Sequence, residues 1–67
     1  MFISLKLARS LKFDSFREWQ VNIHQIDGIA EELDDVFGYK SVISINGEVC
    51  YSLQTVEEIK TMVRNAQ

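Results

Sequence analysis

The sequence predicts an α+β fold of order β-β-α-β-β-α, organised around a hairpin at Asn46-Gly47. Three observations predict it. Two runs rich in β-branched and aromatic residues, Lys40 to Ile45 and Glu48 to Leu53, flank Asn46-Gly47, the dipeptide best able to supply the two positive φ angles of a type I′ turn. Phe2 to Ala8 alternates Ile3, Leu5 and Leu7 against Ser4 and Lys6, the period of a half-buried strand. Thr55-Val56-Glu57-Glu58 reads as a capping box, and Val56, Ile59, Met62, Val63 and Ala66 follow at helical spacing.

The elements follow in order. A first strand covers Phe2 to Ala8. Arg9 to Ser15 has no clean period, and Asp14 or Ser15 is placed to cap a helix, with Ser15 and Glu18 as the two ends of a capping box. The next stretch has two readings. Phe16, Trp19, Ile23 and Ile26 fall three or four apart and would continue through Ile29, Leu33, Val36 and Phe37 as one long helix, giving β-α-β-β-α. Against that, Trp19, Val21 and Ile23 alternate with Gln20, Asn22 and His24, and the segment is rich in strand formers. Gly28 would cost about 1 kcal/mol inside a helix, whereas Asp27 is a favourable N-cap for one that starts at Gly28. The reading adopted is a short strand over Trp19–His24 and a separate acidic helix over Gly28–Phe37, with Gly38 as its left-handed C-terminal cap.

The two-residue loop sets the hairpin register: Ile45 opposite Glu48, Ser44 opposite Val49, Ile43 opposite Cys50 and Val42 opposite Tyr51. One face then carries Ile43, Ile45 and Cys50; the other carries Val42, Val49 and Tyr51. Neither is polar enough to face water along its whole length, so both need a cover. The last helix runs from Val56 to about Asn65.

Sixty-seven residues make one domain at most, and a chain of this size buries only about 60% of its unfolded surface. With 46% apolar residues, three glycines and no proline, the composition is that of a folded chain. A lone cysteine, Cys50, excludes an internal disulfide, and no apolar run approaches the roughly 18 residues of a membrane span. A cytoplasmic protein without membrane contact is expected. The net charge of −3 is unevenly spread: residues 1–25 balance at +2, residues 26–48 at −5 and the rest at zero. An acidic middle argues against direct nucleic-acid binding, which needs clustered Lys and Arg.

From Val21 to Asp27, through the acidic stretch, Gly38-Tyr39-Lys40-Ser41, the Asn46-Gly47 hairpin and Thr55 to Ile59, the chain resembles the C-terminal half of thioredoxin and glutaredoxin-like domains. In those families a strand ending near Asp leads to a helix, a hairpin tipped by Asn-Gly and a final helix. The match spans some forty residues. The family's Cys-x-x-Cys is missing, and so is its cis-proline, whose place Ser41 or Val42 would take. The resemblance therefore implies a binding platform stripped of thiol chemistry, with a redox role through Cys50 as the alternative.

No catalytic set is present. Cys50 faces Ile43 with no cation within two positions, so a buried, inert thiol is expected. His24 is the one histidine and has only Asp27 nearby, too few ligands for a metal. Neither metal nor other cofactor is expected. The paired carboxylates Glu31-Glu32, Asp34-Asp35 and Glu57-Glu58 point in different directions on a helix. What remains is binding. Asp27, Glu31, Glu32, Asp34 and Asp35, beside Tyr39, form an acidic face able to dock a basic protein or to imitate a phosphate backbone and occupy the groove of a nucleic-acid enzyme, as small viral inhibitors can. Phe13, Phe16 and Trp19 form an aromatic group fit for a partner or for a homodimer interface. The expected function is that of a small acidic, non-catalytic regulator or inhibitor acting by protein contact.

Overall fold

Five antiparallel strands form one sheet in the order β2-β1-β5-β4-β3, and one helix closes the chain. These elements belong to a computed structural model that describes residues 1–12 and 15–67. Phe13 and Asp14 lie outside the described residues. The strands are β1 (Phe2–Ala8), β2 (Arg17–Asn22), β3 (Ile26–Glu31), β4 (Ser41–Ile45) and β5 (Glu48–Ser52); the helix is α1 (Val56–Ala66). The α+β class agrees with the sequence reading, but the third element is a strand and not a helix.

The alternation in β1 buries Ile3, Leu5 and Leu7 on the face that α1 covers. Around them the core gathers Val21, Ile23, Ile43, Cys50 and Ile59, with Met62, Val63 and Ala66 of α1 packed against it. The capping box at the start of α1 is complete: the Glu58 amide donates to Thr55 Oγ1 at 3.1 Å and the Thr55 amide donates to Glu58 Oε1 at 3.1 Å. The hairpin has the expected register at all four positions, and Asn46 and Gly47 take φ values of 51° and 79°.

Residues 15–37 depart from expectation. No helix starts at Ser15; Glu18 sits in β2, which pairs with β1 from Arg17 to Asn22, so that the backbone groups on its inner side are bonded in a ladder. The strand expected over Trp19–His24 is thus shifted toward the N-terminus. It ends where the Asn22 side chain accepts the His24 amide at 3.0 Å and opens a 3-10 turn over Ile23–Gln25. Both the long helix and the Gly28–Phe37 helix are replaced by β3 and the loop that follows it. The cause lies in a β-bulge. Ile26 pairs with Ile45 and Ile29 with Ile43, so two inward residues three apart on β3 meet two residues two apart on β4, with Asp27 as the extra residue. A bulged strand thereby reproduces the spacing of a helix. Asp27 caps no helix; its Oδ2 accepts the Gly47 amide at 2.7 Å and ties the bulge to the hairpin turn.

β1 and β5 share only the pairs Leu7–Ser52 and Ala8–Tyr51, so this junction needs other support. Ser41 and Ser52, fully buried and opposite each other, provide it around Gln54. The Ser41 hydroxyl donates to the Gln54 carbonyl at 2.7 Å, while Gln54 Oε1 accepts the Ser52 hydroxyl and the Lys6 amide, each at 3.0 Å. This knot joins β1, β4 and β5 directly ahead of α1.

Candidate functional site

Between β3 and β4 the chain forms a loop, Glu32–Lys40, whose polar backbone groups are satisfied largely from within. The Asp34 carboxylate accepts the amides of Val36 and Phe37, both at 2.8 Å, and the Asp34 carbonyl accepts the Gly38 amide at 3.0 Å. Gly38 has a φ of 81°. Side-chain cap, i-to-i+4 bond and left-handed glycine are the devices of a helix, condensed here into one turn. The expected Gly38 cap is therefore present in kind, without the helix it was meant to end.

The loop is fixed at its base. The Asp34 amide donates to the Tyr39 carbonyl at 3.0 Å, the Glu32 amide to the Lys40 carbonyl at 3.3 Å, and the Lys40 amide to the Ser52 carbonyl at 2.8 Å. Tyr39 is buried, with its ring 4.9 Å from that of Tyr51 on the sheet face away from α1. Burial pushes the Tyr39 phenol above its ordinary value, followed by the negative charges of Glu32 and Asp34, the neighbouring Tyr51 and a hydrogen bond to Asp34. Tyr39, expected beside the acidic face, is buried beneath the loop and anchors it.

Side chains that no sequence argument placed in a site emerge from this turn. Leu33, Val36 and Phe37, read as the core stripe of a helix, are 68%, 84% and 48% exposed. Glu31, Glu32 and Asp35 are exposed around them, and none takes part in an ion pair among the described residues. The expected acidic set is thereby divided. Glu31, Glu32 and Asp35 face water; Asp34 is used up inside the turn; Asp27 is at the hairpin tip.

Of the aromatic group, Phe16 and Trp19 lie elsewhere, and Phe13 is outside the described residues. Trp19 is on β2, the edge of the sheet opposite β3, and is 39% exposed; Phe16 is half-buried just ahead of it. The Arg9 guanidinium lies 5.3 Å from the Trp19 ring centre and binds Glu48 at 2.8 Å. Together they line a cleft of about 280 Å³ with Gln20, Gln25 and Cys50. Acidic and aromatic residues thus form two separate regions. Arg9 is the cation near Cys50 that local sequence could not reveal, because it reaches the cysteine across the β1–β5 junction. Even so, burial outweighs Arg9 and, with Glu48, pushes the Cys50 thiol above its ordinary value.

Among the described residues, no group of three or more His, Cys, Asp or Glu side chains is arranged to hold a metal ion. No helix among them is long and apolar enough to cross a membrane. Comparison with protein-family models, curated proteins and solved structures finds no match.

Proposed function

We propose that this chain is a non-catalytic protein-binding module whose contact surface is the Glu32–Lys40 loop, and that it acts as a regulator or inhibitor by occupying its partner. The observation that carries this reading is the exposure of Leu33, Val36 and Phe37 on a loop that is internally hydrogen-bonded. Exposed apolar side chains gain free energy on burial, and a loop already ordered loses little entropy when bound. Glu31, Glu32 and Asp35 add a negative rim, which favours a partner surface bearing Lys or Arg and speeds encounter at low salt.

Two rival readings draw less support. Imitation of a phosphate backbone needs a regular array of free carboxylates, whereas Asp27 and Asp34 are engaged in hydrogen bonds. A redox role needs an accessible thiolate, whereas Cys50 is buried with its thiol held protonated.

The test compares the parent with the triple variant Leu33→Ser, Val36→Ser, Phe37→Ser in quantitative affinity capture, with circular dichroism to confirm an unchanged fold. Partners retained by the parent should be lost from the variant. Equal recovery on both would reject the loop as the contact surface.

A further inference from the structure

Where α1 meets β3, a shallow groove of about 350 Å³ is floored by Ile23, Ile26, Ile29 and Val63 and rimmed by Lys60 and Arg64. Gln67 also lines it; among the described residues there, no side chain is a carboxylate, and neither cation is ion-paired among the described residues. An apolar floor with a cationic rim is the counterpart of the loop, whose apolar side chains have an anionic rim. Lys60 also lines a recess at the base of the loop, together with Glu31, Leu33 and Val56. Val56, Lys60 and Arg64 recur four residues apart, so one stripe of α1, about 12 Å long at 1.5 Å per residue, runs from the recess into the groove.

We infer that the partner of the loop is a second copy of this chain: Phe37 and its apolar neighbours from one protomer enter the Ile23–Ile26–Ile29–Val63 groove of the other, with loop carboxylates meeting Lys60 and Arg64. This inference rests on the loop reading above. Lys60 lines both the recess under the loop and the groove, so a twofold axis passing near it would bring both contacts together and close the assembly as a dimer. Phe37 and Val36 of the same chain are not among the residues that line the groove, and the loop base is held by backbone bonds through Glu32, Lys40 and Ser52.

Sedimentation velocity of the full chain across micromolar to millimolar concentrations tests this. A dimer is expected at low salt, with a dissociation constant rising about tenfold or more toward 1 M salt, where the Debye length falls to about 3 Å. Phe37→Asp and Arg64→Glu change exposed side chains and should each give folded monomers. Mixed together they should form a heterodimer, weaker than the parent dimer, because the intact groove of one variant meets the intact loop of the other. A mixture that stays monomeric overturns the proposed pairing. A parent that stays monomeric at millimolar concentration overturns self-association alone, while the capture experiment still decides the loop reading. A dimer that survives Phe37→Asp overturns the pairing and removes self-association as support for the loop.

Discussion

Replacing Phe37 by Ser and, separately, Ile59 by Ala distinguishes a loop from a core helix at residues 32–40. Phe37 is 48% exposed beside Leu33 and Val36, which are more so, whereas Ile59 is fully buried between α1 and the sheet. Truncating a buried isoleucine removes transfer free energy and leaves a cavity, together about 2–5 kcal/mol. Surface substitutions away from special features stay within about 0.5 kcal/mol. For a chain of this size the whole stability is about 3–10 kcal/mol, so Ile59→Ala should remove a large part of it and Phe37→Ser almost none. Since 1 kcal/mol moves the Tm of a small domain by roughly 4–8 °C, Ile59→Ala should lower it by more than about 8 °C and Phe37→Ser by less than about 4 °C. Thermal and urea unfolding, followed by far-UV circular dichroism, measure both. Both variants are compared in dilute, high-salt solution, where loss of self-association does not add to the Phe37 change; comparable losses there would show that Phe37 is packed in the core and would refute the exposed loop.

Gly47→Val should cost more than about 1 kcal/mol in urea unfolding, because a β-branched residue is strained at a φ of 79° although the space around it is open; Asn46→Ala should cost less. Asp27→Ala should cost about 1 kcal/mol by the same assay, through loss of its bond to the Gly47 amide, and Asp27→Asn should recover most of that. Alkaline stability follows from Tyr39 and Cys50, both of which have raised values in the fold. The folded chain therefore holds these protons more tightly than the unfolded one. Their contribution is fully present below the ordinary values of 9.0 for the thiol and 10.0 for the phenol and is lost as pH rises past them. Tm measured from pH 8 upward should fall less steeply in Tyr39→Phe than in the parent.

The parts of the fold legible in the sequence are those whose signals are local. Asn46-Gly47 demands positive φ, Thr55 and Glu58 sit within one turn of each other, and Ile3, Leu5 and Leu7 alternate without interruption; each leads to the observed element. β3 failed because its pairing partner is remote. The bulge at Asp27 gives Ile26 and Ile29 a helical spacing, and Asp34 with Gly38 supplies real helix-capping chemistry to a single turn. Leu33, Val36 and Phe37 fit a helical stripe by spacing, and their exposure is invisible to it because periodicity reports spacing and not the neighbours that a tertiary fold provides.

Between the loop and the Trp19 cleft, the loop has the more unspent bonding capacity. In the Trp19 cleft the Arg9 guanidinium is already bound to Glu48 and stacked on the ring, so an incoming anion must displace a carboxylate before it gains anything. Both members of that pair are more than half exposed, which makes the exchange nearly neutral and therefore weakly selective. On the loop the balance differs. Asp34 has consumed its own charge in holding the turn, and this leaves Glu31, Glu32 and Asp35 without ion partners among the described residues. The turn also holds Leu33, Val36 and Phe37 in water at a continuing free-energy cost of roughly 25 cal/mol for each Å² of apolar surface left uncovered. Beneath that loop Ser41, Ser52 and Gln54 are hydrogen-bonded to one another and Tyr39 packs at a tilt against Tyr51, while Leu33, Val36 and Phe37 stay exposed. Under the proposed function, burial of the loop side chains comes from another molecular surface.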